Sequence, residues 1–172
     1  MTLSLPTFTG GLEVTATQLQ QLSDALAGFN NPWRAKAYQT SAVTNMLNIT
    51  GTLILFDAEE YDVTGWHSTV SQTSRLTVPS GADGFYLIMG SIGFAVDADG
   101  YRDAAILVNG TAVGRSHVQS PPTVNAAVQV HTVRSLVATD YVELQGQHSA
   151  GAAIDTVLGS AYTWLAVQRL HD

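Results

Sequence analysis

Four carboxylates, Asp57, Glu59, Glu60 and Asp62, fall within six residues. A close carboxylate pair can separate its two acidities into the acid and base that glycoside hydrolysis uses. The group follows the apolar run 52–56, so it sits where a strand ends and reads as a solvated loop or a cation site. A second acidic turn, DADGYRD, offers Asp97, Asp99 and Asp103 as calcium ligands, but without the bidentate Glu at the twelfth position that would make it an EF-hand. His67, His117, His131, His148 and His171 contain no helical i,i+4 pair and no H-E-x-x-H, so their spacing names no zinc site. Strands could still gather His117, His131 and His148 around a threefold axis as a pH-sensitive ring of imidazoles.

Nucleophilic chemistry has less to build on. There is no G-x-S-x-G; the nearest match, Gly90-Ser91-Ile92-Gly93, lies inside a predicted strand and gives Ser91 no strained elbow. Gly10-Gly11 leads toward a helix without the P-loop Lys or the Rossmann spacing. The expectation is a protein with no catalytic residues and no cofactor, calcium being the one exception weighed. Trp66-His67, after Thr64-Gly65 in a loop, is the candidate ligand site: an exposed indole beside an imidazole can stack on a sugar ring. The competing reading folds that Trp back onto the sheet.

The elements that must carry these residues are strands. Runs 52–56, 85–94 and 104–108 are apolar, β-branched or aromatic, and Asp83-Gly84, the turn 97–100 and Asn109-Gly110 close them. Residues 126–137 and 141–148 alternate, the second placing Val142 and Leu144 toward a core. Pro121-Pro122 makes 117–125 a loop, 149–155 is another, and 156–170 brings home a final strand or strand pair with Trp164 in a central position. Short strands punctuated in this way predict an antiparallel all-β sandwich or jelly roll.

Ahead of them, residues 1–11 read as an extended arm. Residues 13–29 read as a helix capped at Thr15 or Thr17, with a stripe of Leu12, Leu19, Leu22, Leu26 and Phe29. That stripe suits a helix packed on its own domain or a three-chain bundle. Gly28 and Asn30-Asn31-Pro32 end the helix, and 33–50 is a joint. The division expected is 1–47 for arm, helix and linker, and 48–172 for the head.

Composition bounds the function. With 45% hydrophobic and 12% charged residues in 172, a sizeable core and surface hidden in an oligomer are both expected. A net charge of −7, with Lys36 the only lysine, argues against a nucleic-acid footprint. No apolar run is long enough to span a bilayer. Cysteine is absent, so no disulfide or thiolate is available. The N-terminus lacks the basic and apolar regions of a signal peptide. Such a chain fits a virus particle assembled in bacterial cytoplasm and released by lysis, and equally a bacterial cytosolic protein.

Phe56-Asp57, Tyr61-Asp62, Trp66-His67, Leu76-Thr77-Val78-Pro79, Gly84-x-Tyr86, Gly90-Ser91, Gly100-x-Arg102 and Asn109-Gly110 follow one another in an order that resembles the globular head of the complement q subunit. The stretches 140–144 and 164–170 are similar to that family's last strands. The resemblance covers about 48–172 and implies the jelly roll and the trimeric state that the family shares with the tumour-necrosis-factor ligands. It implies an interface in which Tyr86, Phe94 and Trp164 pack toward the axis, continued by Leu19, Leu22 and Leu26 on the helix. The opening PTFTGGLEVTATQLQQLSDAL resembles tail and minor structural proteins of phages infecting actinobacteria. The expected protein is therefore a non-enzymatic, homotrimeric virion head on a short helix. It would touch other virion proteins through its arm and a host-surface glycan through its head, or else decorate a capsid or act as a bacterial adhesin.

Overall fold

The computed structural model of the chain describes residues 15–30, 33–41 and 44–171. Thr15 starts α1 (Ala16–Asn30) with a reciprocal cap. Its hydroxyl accepts the Gln18 N–H at 3.2 Å, while the Gln18 side-chain oxygen accepts the Thr15 N–H at 2.9 Å. Leu19 is exposed and Leu22 partly buried in the single chain. The side chain of Leu26 and the arm 1–11 lie outside the described residues.

The strands among the described residues are β1 (Arg34–Tyr38), β2 (Asn45–Met46), β3 (Thr52–Leu53), β4 (Ala58–Asp62), β5 (Arg75–Thr77), β6 (Gly84–Phe94), β7 (Tyr101–Val108), β8 (Thr111–Gln119), β9 (Ala126–Leu136), β10 (Tyr141–His148), β11 (Ile154–Asp155) and β12 (Trp164–His171). One sheet runs β4-β1-β12-β6-β9, and the other runs β3-β10-β7-β8 with β5 beside β10. All pairings are antiparallel, and the chain changes sheet after β6, β8, β9 and β10, which makes the sandwich a jelly roll.

Alternation explains the core. Tyr86, Ile88, Ile92 and Phe94 point inward from β6 and are fully buried, facing Ile106 and Leu144 of the second sheet. Each such aliphatic or aromatic burial is worth about 1.5–3 kcal/mol. Gly90 breaks the row for a reason of space: a Cβ there would come 2.7 Å from Leu144 Cδ1. The Asn109-Gly110 hairpin forms as the sequence predicts, both residues at positive φ (50° and 77°) between paired Val108 and Thr111. Val142 and Leu144 are buried, and β12 is the middle strand of its sheet.

Three expectations are corrected. The head begins before residue 48, because β1 lies between β4 and β12, and Ala35 and Ala37 fill its inward positions. Of residues 52–56 only Thr52–Leu53 form a strand, with the Ile54 N–H still donating to the Leu144 carbonyl at 2.9 Å, although Ile54 and Phe56 are both buried. Residues 117–119 belong to β8, so the loop starts only at Ser120, next to Pro121-Pro122.

Candidate functional site

Each of the four clustered carboxylates is engaged by a neighbouring group, Glu59 and Asp62 both by His67. Asp57 accepts the Thr40 N–H at 2.6 Å, the Ser41 N–H at 2.8 Å and both hydroxyls. Glu59 meets His67 Nδ1 at 2.9 Å, and Glu60 pairs with Lys36 Nζ at 2.7 Å. Asp62 accepts the Trp66 and His67 N–H groups at 2.8 and 3.0 Å. No two of them are left facing a common substrate position, so the cluster is a set of clamps on strand ends and loops.

The same clamps correct the sugar-stacking expectation. Asp62 turns the chain so that Trp66, 2% exposed, packs edge-on to Tyr86 at 5.2 Å between centroids. The His67 side chain is fully covered, with Nε2 on the Thr73 carbonyl at 3.1 Å. Neither side chain is presented to solvent. A loop Trp beside a predicted strand end carries no sign of its direction in sequence, and here burial of a large aromatic area decides it.

Burial alone would raise the pKa of Asp57, but the Ser41 hydroxyl and the N–H and hydroxyl donors of Thr40 and Ser41 outweigh it and hold the carboxyl well below the ordinary carboxylate range. A depressed native value stabilises the fold above the unfolded value, with the gain lost as pH falls from about 4 downward. Asp57→Asn is therefore expected to cost about 1–2 kcal/mol at pH 7 and to flatten the stability profile below pH 4, read from urea unfolding at a series of pH values. Equal acid slopes for the two proteins would refute the assignment.

The acidic turn does not close on a metal. Arg102 and Asp103 point to opposite sides of β7, so Asp103 leaves Asp97 and Asp99, and the cation beside Asp97 is the Arg102 guanidinium at 3.6 Å. Among the described residues no three His, Cys, Asp or Glu side chains are placed to hold a metal. The three histidines are separated too. His117 lies on the outer face of the second sheet, His131 on that of the first, and His148 is buried with Nε2 on the Met46 carbonyl at 2.9 Å. Ser91 is fully buried and its hydroxyl has no hydrogen-bond partner among the described residues, so no base activates it.

What remains is a contrast between two faces. On the outer side of the first sheet, register gives the rows Trp164–Ser91–Gln129, Ala166–Met89–His131 and Gln168–Leu87–Val133, none of them Asp, Glu, Lys or Arg. A cleft of about 250 Å³ opens there between Trp164, Leu87, Met89, Gln129 and His131. Phe85 and Val133 are exposed beside it, and Tyr162 covers Gly93 at its end. Lys36 stands at the rim, its ammonium 5.1 Å from the Trp164 ring. The second sheet's outer side is charged: Glu143 accepts from Ser74 and Arg75 at 2.9 Å each, and Asp103 lies 3.4 Å from Arg115. Burial raises Asp103 above the usual carboxylate value, opposed by Arg115 and His117.

Of the residues expected at a subunit interface, Trp164 stands on the uncharged face, half-buried. Tyr86 and Phe94 do not: both are on the inward side of β6 and fully buried in their own chain, Tyr86 donating its hydroxyl to the Ala82 carbonyl. A strict period of two along 85–94 assigns Phe85, Leu87 and Met89 to the outside instead.

No protein-family model matches the chain, and no curated protein matches it. Solved structures do. An Eiger TNF from S. frugiperda is similar with a TM-score of 0.59 at 12% identity, over 82% of this chain and 94% of that one. Murine APRIL at pH 8.0 is similar with a TM-score of 0.60 at 14% identity, over 80% of this chain and 98% of that one. Murine APRIL at pH 5.0 gives 0.54 at 12% identity, over 80% and 99%. The fold is thus a tumour-necrosis-factor-like jelly roll.

Proposed function

We propose that this chain is a non-enzymatic, homotrimeric head of a bacteriophage virion, anchored to the particle through its N-terminal segment and used for attachment to a host-surface glycan. The observation that carries the assembly is the outer face of the first sheet, whose nine positions on β12, β6 and β9 hold no fixed charge, with Arg34 and Lys36 of β1 bordering them, while Phe85, Val133 and the cleft beside Trp164 are exposed. A contiguous apolar face of this kind is what chains bury against one another. Three copies closing on an axis is the arrangement that the resemblance implies. The charged second face then looks outward, and three weak contacts on one rigid body bind by avidity without a catalytic step. The virion setting is supported by the phage-like opening and the lack of cysteine.

One observation favours a second reading. With Trp66 and His67 taken into the core, the head has lost the aromatic platform that a sugar would have used, and a decoration protein that clamps coat subunits needs none. Light scattering on the eluted protein is expected to give about 55 kDa, three times 18.2 kDa. A stable 18.2 kDa species would overturn the assembly. Binding of the purified trimer to host cells supports attachment, and stoichiometric binding to coat lattices supports decoration.

A further inference from the structure

We propose that the uncharged face is an acid-released interface and that His131 is the group that releases it. This rests on the reading that copies of the chain bury that face on one another. His131 sits in the middle row, beside Met89 of β6 and one strand further from Ala166 of β12, and it lines the cleft with Leu87, Met89 and Trp164. In a single chain it is exposed, and water solvates its imidazole in either protonation state.

Among the described residues, no anionic group on the neighbouring elements is placed to compensate a charge at this position. Along β9 its outward neighbours are Gln129 and Val133, and across β6 and β12 they are Met89 and Ala166. Arg34 and Lys36 on β1 are cations at the rim, in register with Gln168 and Ala166, the first over the Tyr61 ring and the second held by Glu60 at 2.7 Å. From β9 itself, Arg134 turns away to the Val113 carbonyl at 3.0 Å, and from β8, Gly114 packs against the His131 backbone. Among the described residues the rows of β12, β6 and β9 on this face hold no carboxylate, and Glu60 at the rim is engaged by Lys36.

Covering the face therefore treats the two forms of His131 differently. A neutral imidazole enters an apolar cleft at small cost, whereas an imidazolium is buried without a counter-ion and meets like charge from symmetry-related copies. Assembly and proton uptake at His131 then oppose each other, so assembly is favoured at pH 8 and disfavoured at pH 5. The carboxyl clamp at Asp57 stays in place over that range, since its contribution is lost only below about pH 4.

The test is light scattering with circular dichroism on the full chain at pH 8 and pH 5, for the natural sequence, His131→Phe, His131→Gln and, on the opposite face, His117→Gln. The expected result is three chains at pH 8 and one folded chain at pH 5 for the natural protein and His117→Gln, with association at least 100-fold weaker in acid, and three chains at both pH values for at least one His131 variant. Three chains of the natural protein at pH 5 would overturn the inference and leave the trimer standing. One chain at pH 8 would remove the trimer reading itself. Acid dissociation of both His131 variants, or loss of the β-sheet signal at pH 5, would show that another group is responsible.

Discussion

Met89→Lys is expected to give a single folded chain at neutral pH. Met89 points outward from β6, in register with Ala166 and His131, and lines the cleft on the uncharged face. In an isolated chain a lysine fits there, since its stem covers the same apolar surface and its ammonium reaches water. In the assembly each copy brings one ammonium into a region with no carboxylate, at an effective cost of several kcal/mol per ion. A penalty of about 4 kcal/mol already weakens association about a thousandfold, and three are introduced at once. Elution with light scattering should show one chain, with thermal unfolding of the monomer changed little. Gln145→Lys, outward on the second sheet, should leave three chains in place. A trimer of Met89→Lys as stable as the natural one would mean that this face is not where copies meet.

The strands and their punctuation were legible because local chemistry sets them: Asn109-Gly110 closes a two-residue hairpin, and Val142 and Leu144 alternate inward. β1 was missed because its buried side chains are Ala35 and Ala37, too small to register as an apolar run, although the narrow inward positions of that strand call for small residues. The site was harder. Trp66 and His67 were read correctly as a neighbouring pair in a loop, but their direction is set by Asp62 capping two N–H groups, a tertiary choice that spacing does not encode. The resemblance implies Tyr86 and Phe94 at a subunit interface, while the parity of the strand, legible in the same residues, puts Phe85, Leu87 and Met89 outward. The uncharged face was written in sequence at alternate positions of β6, β9 and β12, but only register shows that those positions are neighbours.

Arg102→Met is expected to destabilise the head by about 3–5 kcal/mol, because it keeps the side-chain volume and removes the charge from a site built around it. The guanidinium is fully buried and donates from one terminal nitrogen to the Asp99 and Tyr101 carbonyls at 2.8 and 3.0 Å, and from the other to the Asp97 carbonyl at 2.8 Å. Burial pulls its pKa down, and the charges of Asp97 and Asp99 oppose that shift. With methionine in place, the Asp99 carbonyl loses this donor, the Asp97 and Tyr101 carbonyls keep only those from Ser120 and Ser149, and the Asp97 carboxylate loses its cation. Lysine would restore a charge but not the fork that spans both terminal contacts, so Arg102→Lys should recover only part of the loss. The turn has little room to rearrange. Gly100 holds a φ of +69° with a Cβ position blocked by the Ser149 backbone, and Ser120 donates to the Asp97 carbonyl from the next loop. For a domain of this length the loss corresponds to a midpoint lower by about 6–20 °C in a thermal scan. Combining Arg102→Met with Gly100→Ala should cost clearly less than the two separate losses together, since both break the same knot of turns. Full additivity would mean that the arginine and the glycine support different parts of the sandwich, and a loss under about 1 kcal/mol for Arg102→Met would mean that water takes over the three carbonyls.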